Sequence, residues 1–225
     1  MSQFEWLTVA NLLFVAAHFV MSHPLRKPMV ALLGERGFLG VYSLISLALL
    51  AWIGHLFALQ RSTLMAWQSN EGLWIAASVL TILALVLLLG SLRGNPALPQ
   101  TEALVAANAK AEGVYAVTRH PMLWAFALWA VAHILVWPSP RTIVTAGAMG
   151  VLALVGARLQ DGKKRALMGD AWTGWEARTS YWPRLSGIPK ISLKLWLAAI
   201  AVWLAATWLH VWLAGIPAGA WRWMG

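Results

Sequence analysis

Cysteine is absent from the 225-residue chain, which removes thiolate nucleophiles, iron–sulfur clusters and zinc–thiolate sites together. Any metal must be held by histidine or by oxygen ligands. Charge is scarce too. Asp, Glu, Lys and Arg make up 11% of the residues, against about a quarter in a soluble domain. That is too little to cover a water-facing globule, so a soluble enzyme, a secreted disulfide scaffold and a disordered chain are excluded. Carboxylates, lysines and arginines are missing from the middle of the long apolar runs, where ion-coupled transporters and proton pumps usually need them. The runs also lack the apolar/polar alternation of a β-barrel. The opening MSQFEW has no positive stretch before its apolar run, so the first span is expected to be retained rather than cleaved.

What is present is hydrophobic, at 60% of the chain. Six runs, 6–25, 37–60, 72–92, 120–140, 142–157 and 195–221, contain no Asp, Glu, Lys or Arg. Five reach 20 residues, enough to cross a hydrocarbon core of about 30 Å as helix. The run 142–157 is shorter but is flanked by Arg141 and Arg158, which can snorkel to the two interfaces. The expectation is an all-α polytopic membrane bundle of about six transmembrane helices.

Alternating the loops sorts the 17 Lys and Arg into 14 on one side and three, Arg61, Arg141 and Arg222, on the other. The positive-inside rule then puts both termini outside and the long loops in the cytoplasm. A sequence pI near 10.7 fits a basic collar over anionic membrane lipid, so no nucleic-acid partner is needed. Of the 16 tryptophans, Trp6, Trp67, Trp137 and Trp221 fall where an aromatic belt would lie. Trp124, Trp129, Trp203 and Trp208 lie inside runs, where they pack helices together or line a broad flat cavity. The loop after the third run has turn chemistry at Gly94, Asn95, Pro96 and Pro99. The loop after the fifth places Trp172 and Trp175 three apart beside basic residues, the pattern of an amphipathic helix lying on the membrane. Together these loops could roof the cytoplasmic mouth.

Histidine is the polar residue inside the runs. His18, His55, His120, His133 and His210 all fall there, with His23 at the inner end of the first. At about 1.5 Å per residue, His18 lies just below the cytoplasmic surface and His120 marks the inner end of the fourth run. His133 lies roughly 20 Å further along it. His55 and His210 approach the outer surface, where hydrogen-bonding to a neighbour or to interfacial water accounts for them. His18 and His133 are flanked by apolar residues, and an unpartnered imidazole in lipid costs several kcal/mol. Two such groups on different helices point to a shared ligand, and haem iron accepts neutral imidazole on both faces.

Two stretches, LLFVAAHFVMSHPLRKPMVALLGERGFLGVYSLISLALLAWIGH and YAVTRHPMLWAFALWAVAHILVW, supported by TSYWPRL, resemble the NnrU family of bacterial inner-membrane proteins. His18, Ser22, Leu25 and Arg26, followed by Gly34-Glu35-Arg36, carry the more specific part. The resemblance implies one domain over 1–225, a multi-pass protein of the bacterial inner (plasma) membrane with periplasmic termini, and a link to nitrogen-oxide (denitrification) metabolism. The family is similar to 15-cis-zeta-carotene isomerase, which holds haem b through two histidines and isomerises a polyene. That similarity implies haem b here, with His18 and His133 as metal ligands and His120 in reserve. Arg26, Arg36 and Arg119 are candidates to pair with haem propionates. A hydrophobic polyene substrate would then enter from the bilayer.

Arg119-His120-Pro121 opening a run also resembles the isoprenylcysteine carboxyl methyltransferase superfamily, in which that segment helps bind S-adenosylmethionine. The positions aligned with that family's Glu-Glu pair are Lys163 and Lys164, two cations beside a sulfonium, which argues against methyl transfer in its usual form. Three readings stay open: a haem protein, isomerase-like or active in nitrogen-oxide metabolism; a methyltransferase; and a non-catalytic assembly factor for a respiratory reductase.

Overall fold

The computed structural model describes residues 1–60, 64–98 and 102–224. The expected turn at Pro99 and the cation Arg61 fall outside these. Eight α-helices form among the described residues: α1 (Gln3–Ser22), α2 (Arg26–Leu59), α3 (Glu71–Gly90), α4 (Ala103–Asn108), α5 (Pro121–Val136), α6 (Pro140–Met168), α7 (Asp170–Arg178) and α8 (Leu193–Ala214). Short 3-10 turns cover Gly113–Ala116, Leu185–Lys190 and Gly219–Trp223, and no strand is present among the described residues.

Local chemistry sets the ends. Ser2 and Glu5 form a reciprocal capping box on α1, and Asn70, Ser139 and Ser192 cap α3, α6 and α8. Pro121 and Pro140 occupy the first turns of α5 and α6, where a missing N–H costs nothing. In α2, Gly34 takes φ 69° and ψ 167°, so the 34-residue element is two helices meeting at a break. The break lets Glu35 reach back to Arg26 at 2.9 Å.

Five helices, α1, α2, α3, α6 and α8, are long and apolar enough to cross a membrane. α5 is the sixth long apolar helix and has 16 residues, about 24 Å. The expected ranking of spans is thus corrected at two places. The run 120–140 gives the shortest crossing, because Pro121 fixes its start and the Trp137-Pro138 step stops it. The run 142–157 belongs to a 29-residue helix that continues to Met168. Absence of charge marks where lipid lies; it does not mark where helix ends, and the polar stretch 158–165 is as good a helix former as the run before it. The run 195–221 is corrected too: α8 stops at Gly215, and the chain folds back so that the Trp221 indole donates to the Leu204 carbonyl at 3.0 Å.

Contacts divide the molecule into two ends. At one, Trp6 meets Trp52, the Ala66 amide donates to the Pro138 carbonyl, and Arg222 and Trp223 both bond Glu71, so both termini lie there. Arg141, expected to snorkel, instead donates to the Phe57 and Gln60 carbonyls at the end of α2. The other end gathers residues 22–36, the segments following α3, and the chain from 158 to 192; it is the basic end.

There, the tryptophan face of α7, whose pattern predicts a helix lying on the membrane, is turned onto protein. Trp172 and Trp175 are 0% and 1% exposed and pack against Val114, Tyr115, Val117 and Ile191. The two indoles, one helical turn apart, find an apolar protein surface to bury against before they find lipid. Gly169 (φ 54°) makes the sharp corner that turns α7 back along α6. The roof over the basic end is therefore a packed cap. A separate core of Leu7, Ala10, Phe14, Ile53 and Leu56 joins α1, α2 and α6. Of the internal tryptophans, Trp203 packs helices by donating to Thr81 at 2.9 Å, and Trp124 donates to the Tyr181 carbonyl at 2.8 Å.

Candidate functional site

Between the two cores, at the basic end, α1, α2, α5 and α6 line a half-open cavity of about 1210 Å³. Its deep wall is apolar: Phe14, Phe19, Leu50, Phe126, Met149 and Leu152. Its rim carries Arg26, Arg36, Lys163 and Lys164, with Glu35 as the only carboxylate among its lining residues. His18 and His23 of the α1 end face the same space.

His18 is held with one nitrogen spoken for. Its Nδ1–H donates to the Phe14 carbonyl at 2.8 Å, since a carbonyl can only accept, and so Nε2 presents a lone pair. The nearest hydroxyl is Ser46 at 3.4 Å, but the single Ser46 hydrogen goes to the Tyr42 carbonyl at 2.8 Å. Phe14 and Tyr42 flank the ring at 4.3 and 5.3 Å. His23 repeats the pattern: Nδ1–H donates to the Phe19 carbonyl at 3.2 Å, and Nε2 is buried with no partner. The sequence reading placed His23 at the edge of the run and passed over it.

Against this cavity stands a second, small one of about 70 Å³, lined by Asn95, Ala97, Leu98, His120, Met122, Leu123 and Gln160. The two share Ala97, Leu98, Met122, Leu123 and Gln160. His120 is 2% exposed. Its Nε2–H donates to Asp161 at 2.8 Å, and its Nδ1 is buried with no partner. Asp161 also accepts from Arg119 at 2.6, 3.0 and 3.1 Å, and Arg119 lies 3.5 Å from Glu176, which in turn is clasped by Arg165 at 2.6 and 2.8 Å. A carboxylate on one imidazole nitrogen with the other left open is the support that a ligating or proton-transferring histidine receives.

The TSYWPRL segment closes over this group. Arg119 N–H donates to the Ser180 carbonyl, Thr118 Oγ1 to the Tyr181 carbonyl, and Arg184 N–H to the Val117 carbonyl. Tyr181 packs on both His120 and Arg119 and donates its hydroxyl to the Leu154 carbonyl. Burial and the Asp161 charge push the Tyr181 hydroxyl above its usual range, and burial does the same to Tyr115. Both stay protonated donors.

Several expectations change here. Arg119 does not reach the cavity lining; it is buried and saturated by Asp161, so it is a structural cation and no longer a propionate partner. Arg26 does line the cavity but is bound to Glu35, which leaves Arg36 and Lys163 as the less committed cations. Lys164, aligned with a carboxylate in the methyltransferase comparison, is buried and donates to the Pro96 and Leu98 carbonyls at 2.8 and 3.4 Å. Asp161 was missed altogether. Its only signal was a lone acid in the basic stretch Arg158 to Arg165.

His18 and His133 are not brought together. His133 lies three residues from the C-terminal end of α5, seven residues or about 10 Å beyond Phe126 of the cavity wall. Its ring packs on Trp129 at 4.2 Å and on His210 of α8 at 6.2 Å. Two imidazoles on one iron would need their nitrogens only about 4 Å apart, at roughly 2 Å per bond. The structure pairs His133 with His210, puts His18 and His23 on the large cavity, and puts His120 on the small one that shares part of its wall. His55 is exposed on α2. No group of three or more His, Asp or Glu able to hold a metal ion occurs among the described residues.

No curated protein matches the chain, and no solved structure does. The family model described as NnrU protein matches residues 6–218, nearly the whole length, and takes in both cavities and the Arg119–Asp161–His120 group. The chain belongs to the NnrU family.

Proposed function

We propose that this is a haem-b-binding protein of the bacterial inner membrane, basic end in the cytoplasm, working in nitrogen-oxide metabolism. The observation that carries the reading is the cavity at the basic end: an apolar interior, a cationic rim, and two lining imidazoles, His18 and His23, with His120 on the small cavity that shares its wall. Haem b is a flat apolar macrocycle with two carboxylates, so the lining suits it chemically. His18 would supply one axial nitrogen. His120, the reserve ligand of the sequence reading, displaces His133 as the second, because Asp161 fixes its ring with Nδ1 open beside the shared wall. Arg36 and Lys163 would meet the propionates, and Arg26, bound to Glu35, would steady them. When bound, the iron would supply a redox-active centre or a coordination position for a small ligand.

The volume supports a second use of the same site. Sites for drug-sized ligands run to about 300–1,000 Å³, and this cavity exceeds that. A polyene could therefore enter beside the macrocycle, as isomerase-like chemistry requires. Methyl transfer finds less support, since Lys163 and Lys164 both line the cavity and repel a sulfonium.

Purified full-length protein titrated with hemin tests the reading. A Soret band should grow to one haem per chain, with its ferric spin state changed in His18→Ala and in His120→Ala and unchanged in His133→Ala. Absence of any Soret band at saturating hemin would remove it.

A further inference from the structure

At the end opposite the cavity, His133 and His210 form a pair to which nothing above gives a role. Each ring is locked in the same tautomer: the His133 Nδ1–H donates to the Trp129 carbonyl at 2.8 Å and the His210 Nδ1–H to the Ala206 carbonyl at 2.7 Å. Both Nε2 atoms therefore carry lone pairs, and among the described residues no donor bonds to either. The ring centres are 6.2 Å apart with planes 38° from parallel. Trp129, stacked 4.2 Å from His133, holds that ring in place.

Two acceptor-bearing rings packed side by side leave lone pairs close to one another. Both residues sit in the last turn or so of their helices, three residues before Val136 and four before Ala214, where the partial negative charge of a helix C-terminus favours a cation. Two imidazoles bonded to one ion at about 2.0–2.1 Å have ring centres about 5–6 Å apart. The observed 6.2 Å lies just above that range. His210 lies four residues, about 6 Å, from the end of α8, close to the membrane surface from which an ion would come.

We propose that His133 and His210 bind a divalent transition-metal ion of the kind that prefers imidazole, copper or zinc, through their two Nε2 atoms, with water completing the coordination. The site is separate from the haem reading: it lies at the other end of the bundle and shares no residue with the cavity.

The experiment uses full-length protein in detergent, stripped with chelator and titrated calorimetrically with Zn²⁺ and then Cu²⁺. One ion per chain should bind, and His133→Ala and His210→Ala should each weaken it about tenfold or more. His55→Ala and the His18→Ala, His120→Ala double variant should leave it unchanged. Because His210 lies on the exposed face, His210→Gln should keep the unfolding temperature of the metal-free protein while abolishing the rise that Zn²⁺ produces in the parent. The Cu²⁺ resonance spectrum should carry two nitrogen couplings that fall to one in His210→Ala. No binding by the parent, or binding indifferent to both substitutions, overturns the proposal. So does a loss of hemin uptake, with ion binding intact, in the His133 and His210 variants. The hemin titration in the His18 and His120 variants fails or succeeds independently.

Discussion

The two ends of the bundle are built from the same residue types and use them differently. At the basic end, a chain of charges runs from buried His120, Asp161 and Arg119 out to half-buried Glu176 and exposed Arg165, and a large cavity opens beside it. At the opposite end the ion pair Arg222–Glu71 is exposed, Arg141 satisfies backbone carbonyls, and two histidine rings lie 6.2 Å apart with no carboxylate bonded to either among the described residues. A surface pair such as Arg222–Glu71 contributes at most about 1 kcal/mol, whereas losing one partner of a buried pair costs about 3–5 kcal/mol. The comparison shows that many of the cations on the basic side do more than orient the protein. Arg119, Lys164, Arg165 and Arg178 each hold a structural partner, the last by donating to the Ala107 carbonyl at 2.6 Å.

The contrast can be broken most forcefully at Asp161. Asp161→Ala leaves Arg119 and His120 buried without their acceptor and should destabilise the protein by about 3–5 kcal/mol, read as a lower midpoint of intrinsic tryptophan fluorescence on heating. Trp172→Ala opens a hole in the cap and should cost about 3–5 kcal/mol as well, while leaving ion binding at the other end intact. Next comes Lys164→Met, which removes the donor to Pro96 and Leu98 and should cost about 1–3 kcal/mol. Glu71→Gln at the opposite end should shift the midpoint by no more than about 1 kcal/mol. If Glu71→Gln proved as damaging as Asp161→Ala, the division into a buried-charge end and a surface-charge end would be wrong.

The sequence disclosed most of the architecture and part of the site. Runs free of charge located the crossings, because a helix in lipid tolerates little else. They could not show that α6 continues past Arg158, since helix propensity is indifferent to where the membrane stops. The cap escaped notice for a related reason: Trp172 and Trp175 have the spacing of a membrane-surface helix, and only Val114, Tyr115 and Ile191, brought in from distant segments, reveal a protein partner. For the histidines, depth was the better guide and pairing the weaker one. His133, thirteen residues past His120, was already placed near the outer surface by the helical rise, yet apolar flanks made it look like a partner for His18. Asp161 was invisible because a carboxylate among four cations reads as a solvated face until the fold turns it inward.

The measurement closest to the central claim is a hemin titration of four variants side by side, His18→Ala, His120→Ala, His133→Ala and His210→Ala, followed at the Soret band. The account predicts weakened uptake or an altered ferric spectrum in the first two and parent-like titrations in the last two. The reverse pattern would move the haem to the opposite end and contradict the assignment of the cavity.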